Sequence, residues 1–129
     1  MSKILVVDDD SQVLQVVSEM LRIEGHSVVM AANGRQAIDE FENEAFDLVV
    51  TDIIMPEQEG LETIANLRRR EDYVPIIAIS GGGRAGNLDY LETARYIGAD
   101  GTLAKPFGRQ DLLNTVNQVL SDASERSQH

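Results

Sequence analysis

The sequence predicts an α/β fold, a doubly wound parallel sheet of five strands with helices on both faces. Three observations carry that reading. Five short segments are rich in β-branched residues, and several are apolar on consecutive positions, as strands covered on both faces should be. The stretches between and after them place apolar residues three and four apart, the spacing of an amphipathic helix. Strand then helix, repeated along the chain, calls for parallel pairing, because each right-handed crossover buries its helix against the sheet.

The strands are expected at Lys3 to Val7, Ser27 to Ala31, Asp47 to Thr51, Pro75 to Ile79 and Thr102 to Ala104. Val13, Leu14, Val17 and Leu21 mark the first helix, with Asp10 or Ser11 as its N-cap and Gly25 as its stop. Ala37, Ile38 and Phe41 mark a second, Leu61, Ile64 and Ala65 a third, and Leu88, Leu91 and Ala94 a fourth. Leu112, Leu113, Val116, Val119 and Leu120 mark the last. Asn33-Gly34 is also a hairpin signal, but the helical spacing after it favours a strand-to-helix turn. Pro75 opens its strand, where a missing donor does least harm. The folded domain is expected over residues 1–121, and the polar stretch 122–129 is expected to fray.

A chain of 129 residues with 43% apolar and 26% charged side chains is long enough for one core and has an ordinary globular composition. Its net charge of −11 argues against direct nucleic-acid binding, which needs basic groups to neutralise phosphates. Cysteine is absent, so disulfides and zinc-thiolate sites are excluded. No apolar run approaches the length of a membrane span, and Met-Ser-Lys leads straight into the first strand with no room for a signal peptide. A cytoplasmic protein with no membrane contact is expected.

In an open parallel sheet, ligands sit beyond the carboxyl ends of the strands. The first strand leads into Asp8, Asp9 and Asp10, the third into Asp52, the fourth into Ser80 and the fifth into Lys105-Pro106. Each residue alone has an ordinary explanation as a cap, a turn or a solvated charge. Together they call for a joint one. Carboxylates converging at one edge repel by about 1 kcal/mol per pair at 4 Å in water, and about 4 at an effective dielectric near 20. A divalent cation relieves this, and hard oxygens without nearby His or Cys select magnesium, manganese or calcium over zinc. His26 precedes the second strand at the opposite edge and His129 lies in the tail, so neither is a candidate ligand. Lys105 and the Ser80 hydroxyl suit a phosphoryl group, with Asp52 as a candidate carboxylate nucleophile.

Four motifs in order then resemble a response-regulator receiver domain: Ile4 through Asp10, Asp52 through Gly60, a hydrophobic strand ending in Ser80, and Gly98-Ala99-Asp100 leading to Lys105-Pro106-Phe107. The separations agree with that family: 44 positions from Asp8 to Asp52, 28 from Asp52 to Ser80 and 25 from Ser80 to Lys105. The resemblance implies a flavodoxin-like strand order of 2-1-3-4-5 and a phosphoacceptor signalling domain of two-component systems. Asp52 would accept the phosphoryl group. Asp8, Asp9, Asp52 and the backbone carbonyl of Ile54 would hold Mg2+, with Mn2+ as an alternative. Ser80, Gly81 and Lys105 would meet the phosphoryl group, and the Lys105-Pro106 bond would be cis. The implied donor is a histidine kinase or phosphotransfer protein. The implied reader, a downstream protein partner or a missing output domain, would meet the face built from the fourth helix, fifth strand and last helix, and a phosphorylation-dependent dimer is a further option. Such a domain modifies itself and is not a turnover enzyme on an external substrate.

The sequence departs from the family at Thr102, where many receivers carry an aromatic switch residue; Tyr96 is better explained by packing of the fourth helix. Ile54 and Gly82 offer no side-chain group to orient attacking water, so slow self-dephosphorylation is expected. Two other classes compete. A haloacid-dehalogenase-like phosphatase would use Asp8 as nucleophile and Asp10 as acid, but leaves Asp52-Ile53-Ile54-Met55-Pro56 unexplained. A binding module would be either a flavin binder, disfavoured by the acidic triad, or an unphosphorylated scaffold, for which an intact Asp52, Ser80 and Lys105 set is uneconomical.

Overall fold

Alternation along the strands sorts the apolar residues onto two faces, and helices close over both. The computed structural model describes residues 2–53, 59–69, 73–80, 95 and 98–127. In chain order these form β1 (Lys3–Val7), α1 (Ser11–Ile23), β2 (Ser27–Ala31), α2 (Gly34–Asn43), β3 (Leu48–Asp52), α3 (Glu59–Arg68), β4 (Ile76–Ser80), β5 (Gly101–Ala104) and α4 (Arg109–Ser127). The strands make one sheet in the order β2-β1-β3-β4-β5, and every neighbouring pair is parallel. The helix expected around Leu88, Leu91 and Ala94 falls outside the described residues.

Successive strand residues face opposite sides. Leu5, Val7, Val49 and Ala78 pack on one side with Ala37 of α2 and Ile64 and Leu67 of α3. Ile4, Val6, Val50 and Ile77 pack on the other with Val17 and Leu21 of α1 and Leu112, Val116 and Val119 of α4. Burying such aliphatic side chains contributes about 1.5–3 kcal/mol each before chain entropy is charged against it. β3 and β4 are buried at every position, which is why they read as continuous apolar runs.

Three strands start one residue away from their expected positions. Asp47 precedes β3 because it clasps the start of β1: its N–H donates to the Lys3 carbonyl at 2.8 Å, and its Oδ2 accepts from the Lys3 N–H at 2.8 Å. Pro75 has no N–H to give, although its carbonyl accepts from Val49 N–H at 3.0 Å, so β4 begins at Ile76. β5 gains Gly101, which lies so close to α4 that a Cβ there would stand 2.9 Å from Val119 Cγ2. The later frame of β3 and β4 has a functional consequence, since Asp52 and Ser80 become the last ladder residues of their strands, paired with Ile79 and Ala104.

Asp10 is the N-cap of α1, and Gly25 follows the helix at φ 94°, a conformation only glycine adopts without strain. Asn33 caps α2 by accepting from Gln36 N–H, so Asn33-Gly34 is the strand-to-helix turn. α4 runs through the stretch expected to fray from residue 122 and reaches Ser127, with Gln118 donating to Asp122 Oδ1 one turn on at 3.0 Å. No helix among the described residues is long and apolar enough to cross a membrane.

Candidate functional site

The carboxyl ends of β1, β3, β4 and β5 deliver polar side chains to one edge of the sheet. Asp8 prolongs β1, its N–H donating to the Ala31 carbonyl at 3.2 Å. Asp52 ends β3, and the Thr51 hydroxyl donates to its carbonyl at 3.1 Å. Asp8 and Asp52 are almost wholly buried, whereas Asp9 between β1 and α1 is exposed. Carboxylate oxygens of Asp8, Asp9 and Asp52 lie within 4.8 Å of one another. Three hard anionic donors at that separation suit a divalent cation such as Mg2+ and no soft metal.

Lys105 supplies the positive charge. Its backbone N–H donates to the Ser80 carbonyl at 2.8 Å, which carries the β4–β5 ladder one residue past Ala104 and brings the side chain back over the edge. Nζ reaches Asp8 Oδ2 at 3.2 Å and Asp52 Oδ2 at 3.7 Å. One ammonium therefore pairs with two of the three clustered carboxylates, and the cluster keeps excess negative charge in a partly desolvated place, where Coulomb terms are several times larger than in water. The peptide bond that follows, Lys105-Pro106, is cis.

Ser80 completes the edge. It is fully buried, and its Oγ has no hydrogen-bond partner among the described residues. A buried orphan hydroxyl costs about 1–3 kcal/mol, so this end of β4 holds a donor with nothing yet to donate to. Asp10, although adjacent to the cluster in sequence, does not join it: Oδ1 accepts from Gln12 N–H at 2.9 Å and from Val13 N–H at 3.4 Å in the first turn of α1. A carboxylate committed to a helix cap is poorly placed to act as the acid partner of Asp8.

Of the other residues singled out from sequence, Thr102 is half-buried on β5, and its Oγ1 accepts from the Arg95 guanidinium at 3.2 Å. Ile54, Gly81, Gly82, Tyr96 and His129 fall outside the described residues. His26 sits at the opposite edge, where Nδ1 accepts from Ser2 N–H at 3.2 Å, and takes no part in the cluster. Two features escaped sequence reasoning. Lys105, expected to meet a phosphoryl group, stands closer to Asp8 than to Asp52, and Asp100 belongs to a second polar cluster at the far edge with Arg68 and Tyr73. Neither has a local signal, because the partners are 97, 32 and 27 residues apart.

The sequence model of the family described as the response regulator receiver domain matches residues 4–117. The chain belongs to that family. Among curated relatives, this receiver is 34% identical to the transcriptional regulatory protein CpxR of Escherichia coli (strain K12), over 100% of this chain and 54% of that protein. It is 36% identical to the response regulator MprA of Mycolicibacterium vanbaalenii, over 92% of this chain and 50% of that protein. The receiver thus spans about half the length of the curated relatives it matches. A solved CheY-like response regulator receiver domain protein from Methanospirillum hungatei JF-1 superposes with a TM-score of 0.86 at 28% identity, covering 98% of each chain. Response-regulator receivers are signalling modules, and the order β2-β1-β3-β4-β5 is the architecture of these neighbours.

Proposed function

We propose that this receiver takes a phosphoryl group on Asp52 with the help of Mg2+ and passes the change to a partner surface. The observation that carries the proposal is the meeting of Asp52 with Asp8, Asp9 and the Lys105 ammonium at the carboxyl edge of the sheet. Asp8, Asp9 and Asp52 would hold the cation, and Ile54 would add its carbonyl. When bound, the ion neutralises the carboxylates and the incoming phosphoryl oxygens.

The chemistry of the side chains follows from their placement. A carboxylate oxygen of Asp52 attacks phosphorus, the bond from phosphorus to the donor breaks, and an acyl phosphate forms, as expected of a carboxylate nucleophile. On a histidine kinase or phosphotransfer protein the bond broken is phosphorus to imidazole nitrogen, and the proton that nitrogen needs comes from solvent. Lys105 stands 3.7 Å from the nucleophile and keeps its Nζ against the new anion. The charge at position 52 grows from about −1 to about −2, and three acceptor oxygens appear. The Ser80 hydroxyl, buried and without a partner among the described residues, then has an acceptor, and Gly81, with no side chain, would leave that acceptor open to donors. That differential contact biases a two-state equilibrium. The readers would be a downstream protein or an output domain in the same polypeptide, and the acidic surface favours basic partner patches with salt-sensitive encounter.

Intact mass after incubation with acetyl phosphate, with and without Mg2+, tests the proposal on wild type and Asp52→Asn. A Mg2+-dependent phosphoryl adduct that Asp52→Asn lacks is expected. Release of inorganic phosphate without an adduct, lost in Asp8→Asn, would replace the proposal with a phosphatase. Inertness of every sample would replace it with a scaffold.

A further inference from the structure

The loop from Asp8 to Asp10 carries two of the three clustered carboxylates, and its shape depends on the third aspartate. Asp10 is tied down at three atoms. Its N–H donates to Asp8 Oδ1 at 2.9 Å, its Oδ1 accepts from Gln12 and Val13 N–H, and its carbonyl accepts from Leu14 N–H at 3.0 Å. Asp8 is consequently held at both carboxylate oxygens, Oδ1 by Asp10 and Oδ2 by Lys105 Nζ. Asp9 is the single residue between these two anchors, exposed to solvent yet within 4.8 Å of its two partners. An exposed carboxylate beside two like charges has every electrostatic reason to turn outward. What keeps its backbone in place is the pair of anchors, and one of them is Asp10.

We propose that Asp10 is a positioning residue for the divalent-cation site: by capping α1 with its carboxylate and holding Asp8 with its N–H, it fixes the arch on which Asp9 faces Asp8 and Asp52. The inference rests on the metal reading above. Outer partners that orient ligands are commonly worth 10–100-fold in metal affinity, although they never touch the ion. Asp10 acts through the cap and not through its charge, which separates it from a ligand. Any side chain that accepts from Gln12 and Val13 N–H should serve, and alanine should not.

The test compares Asp10→Ala, Asp10→Ser and Asp10→Asn with wild type and Asp9→Asn. Mg2+ affinity is read by calorimetric titration at a temperature where circular dichroism shows each variant folded, and the urea midpoint is read in EDTA. Asp10→Ala is expected to bind Mg2+ about tenfold more weakly, and Asp10→Ser and Asp10→Asn to stay within about threefold of wild type, since an exposed charge lost at that position matters little. Equal affinities in Asp10→Ala and Asp10→Ser would overturn the inference, even if the alanine variant were less stable in EDTA. So would Asp10→Ser and Asp10→Asn falling as far as Asp10→Ala, which would assign the effect to the charge. Failure of the underlying metal reading looks different: wild type would bind no Mg2+, or Asp9→Asn would bind it as tightly as wild type.

Discussion

The two edges of the sheet are built on opposite principles. At the carboxyl edge, three carboxylates cluster, one ammonium pairs with two of them, and the Ser80 hydroxyl has no partner among the described residues. At the amino edge the polar groups answer one another. Arg68 at the end of α3 donates to the Gly98 carbonyl at 2.9 Å, the Val74 carbonyl at 2.6 Å and Asp100 Oδ2 at 2.7 Å, and its guanidinium lies 4.5 Å from the centre of the Tyr73 ring. Asp100 accepts in addition from Ile76 N–H at 2.9 Å and from the Tyr73 hydroxyl. One guanidinium thereby joins the end of α3, the approach to β4 and the approach to β5. The difference is a division of labour: one edge ties the strands together, and the other leaves charge and, among the described residues, a hydroxyl uncompensated, as the proposed phosphoryl site requires.

That contrast can be broken from the amino edge first. Arg68→Ala removes the cation paired with Asp100 and the guanidinium donors to the Gly98 and Val74 carbonyls at a mostly buried site. It is expected to lower unfolding free energy by about 3 kcal/mol, read as a lower urea midpoint unchanged by Mg2+. Arg68→Lys should recover little, because an ammonium cannot reproduce the three-way fork. Gly98→Ala comes next, at a loss of about 2 kcal/mol. Gly98 has φ 126°, and a Cβ there would stand 2.8 Å from Arg68 Cγ and Nε, so the substitution strains the backbone and pushes the clamp aside together. If either variant proved neutral, the amino edge would not be the stabilising one.

The carboxyl edge should respond with the opposite sign. Ser80→Ala removes a buried orphan hydroxyl and is expected to raise stability by about 1 kcal/mol, while weakening any switch that uses the donor. Ser18→Ala, at a buried hydroxyl on α1 that likewise has no partner among the described residues, should give a similar gain with no effect on phosphorylation, which separates a reserve donor from a merely unpaired one. The smallest effect is expected of Asp9→Asn. In EDTA and low salt it should raise the thermal midpoint by about 2 °C as repulsion falls, and added salt should erase the difference. Mg2+ should raise the midpoint of wild type and not of Asp9→Asn. A destabilised Asp9→Asn in EDTA would mean that the three carboxylates do not repel as argued.

Much of this architecture is legible in the sequence. The strand-helix alternation located all five strands to within a residue, because burial on both faces leaves continuous apolar runs such as Leu48 to Val50 and Ile76 to Ile79. The strand-end residues Asp8, Asp52, Ser80 and Lys105 were legible as one group for a topological reason: parallel strands all present their carboxyl ends at the same edge. The starts of β3, β4 and β5 were not, since they depend on Asp47 clasping Lys3, on Val49 bonding to Pro75 and on Gly101 lying against α4.

Sequence by itself therefore determined the layers, the strand order through its family motifs, and which side chains reach the carboxyl edge. Tertiary structure alone decided how those side chains are committed. It turned Asp10 away into the cap of α1, put Lys105 nearer Asp8 than Asp52, left Ser80 Oγ without a partner among the described residues, and assembled Arg68, Tyr73 and Asp100 into a clamp. The physical reason is range. Hydrophobic periodicity is a local property of a few turns or a few strand residues, whereas the commitment of a polar group depends on which distant donor or acceptor the packed core brings within about 3 Å of it.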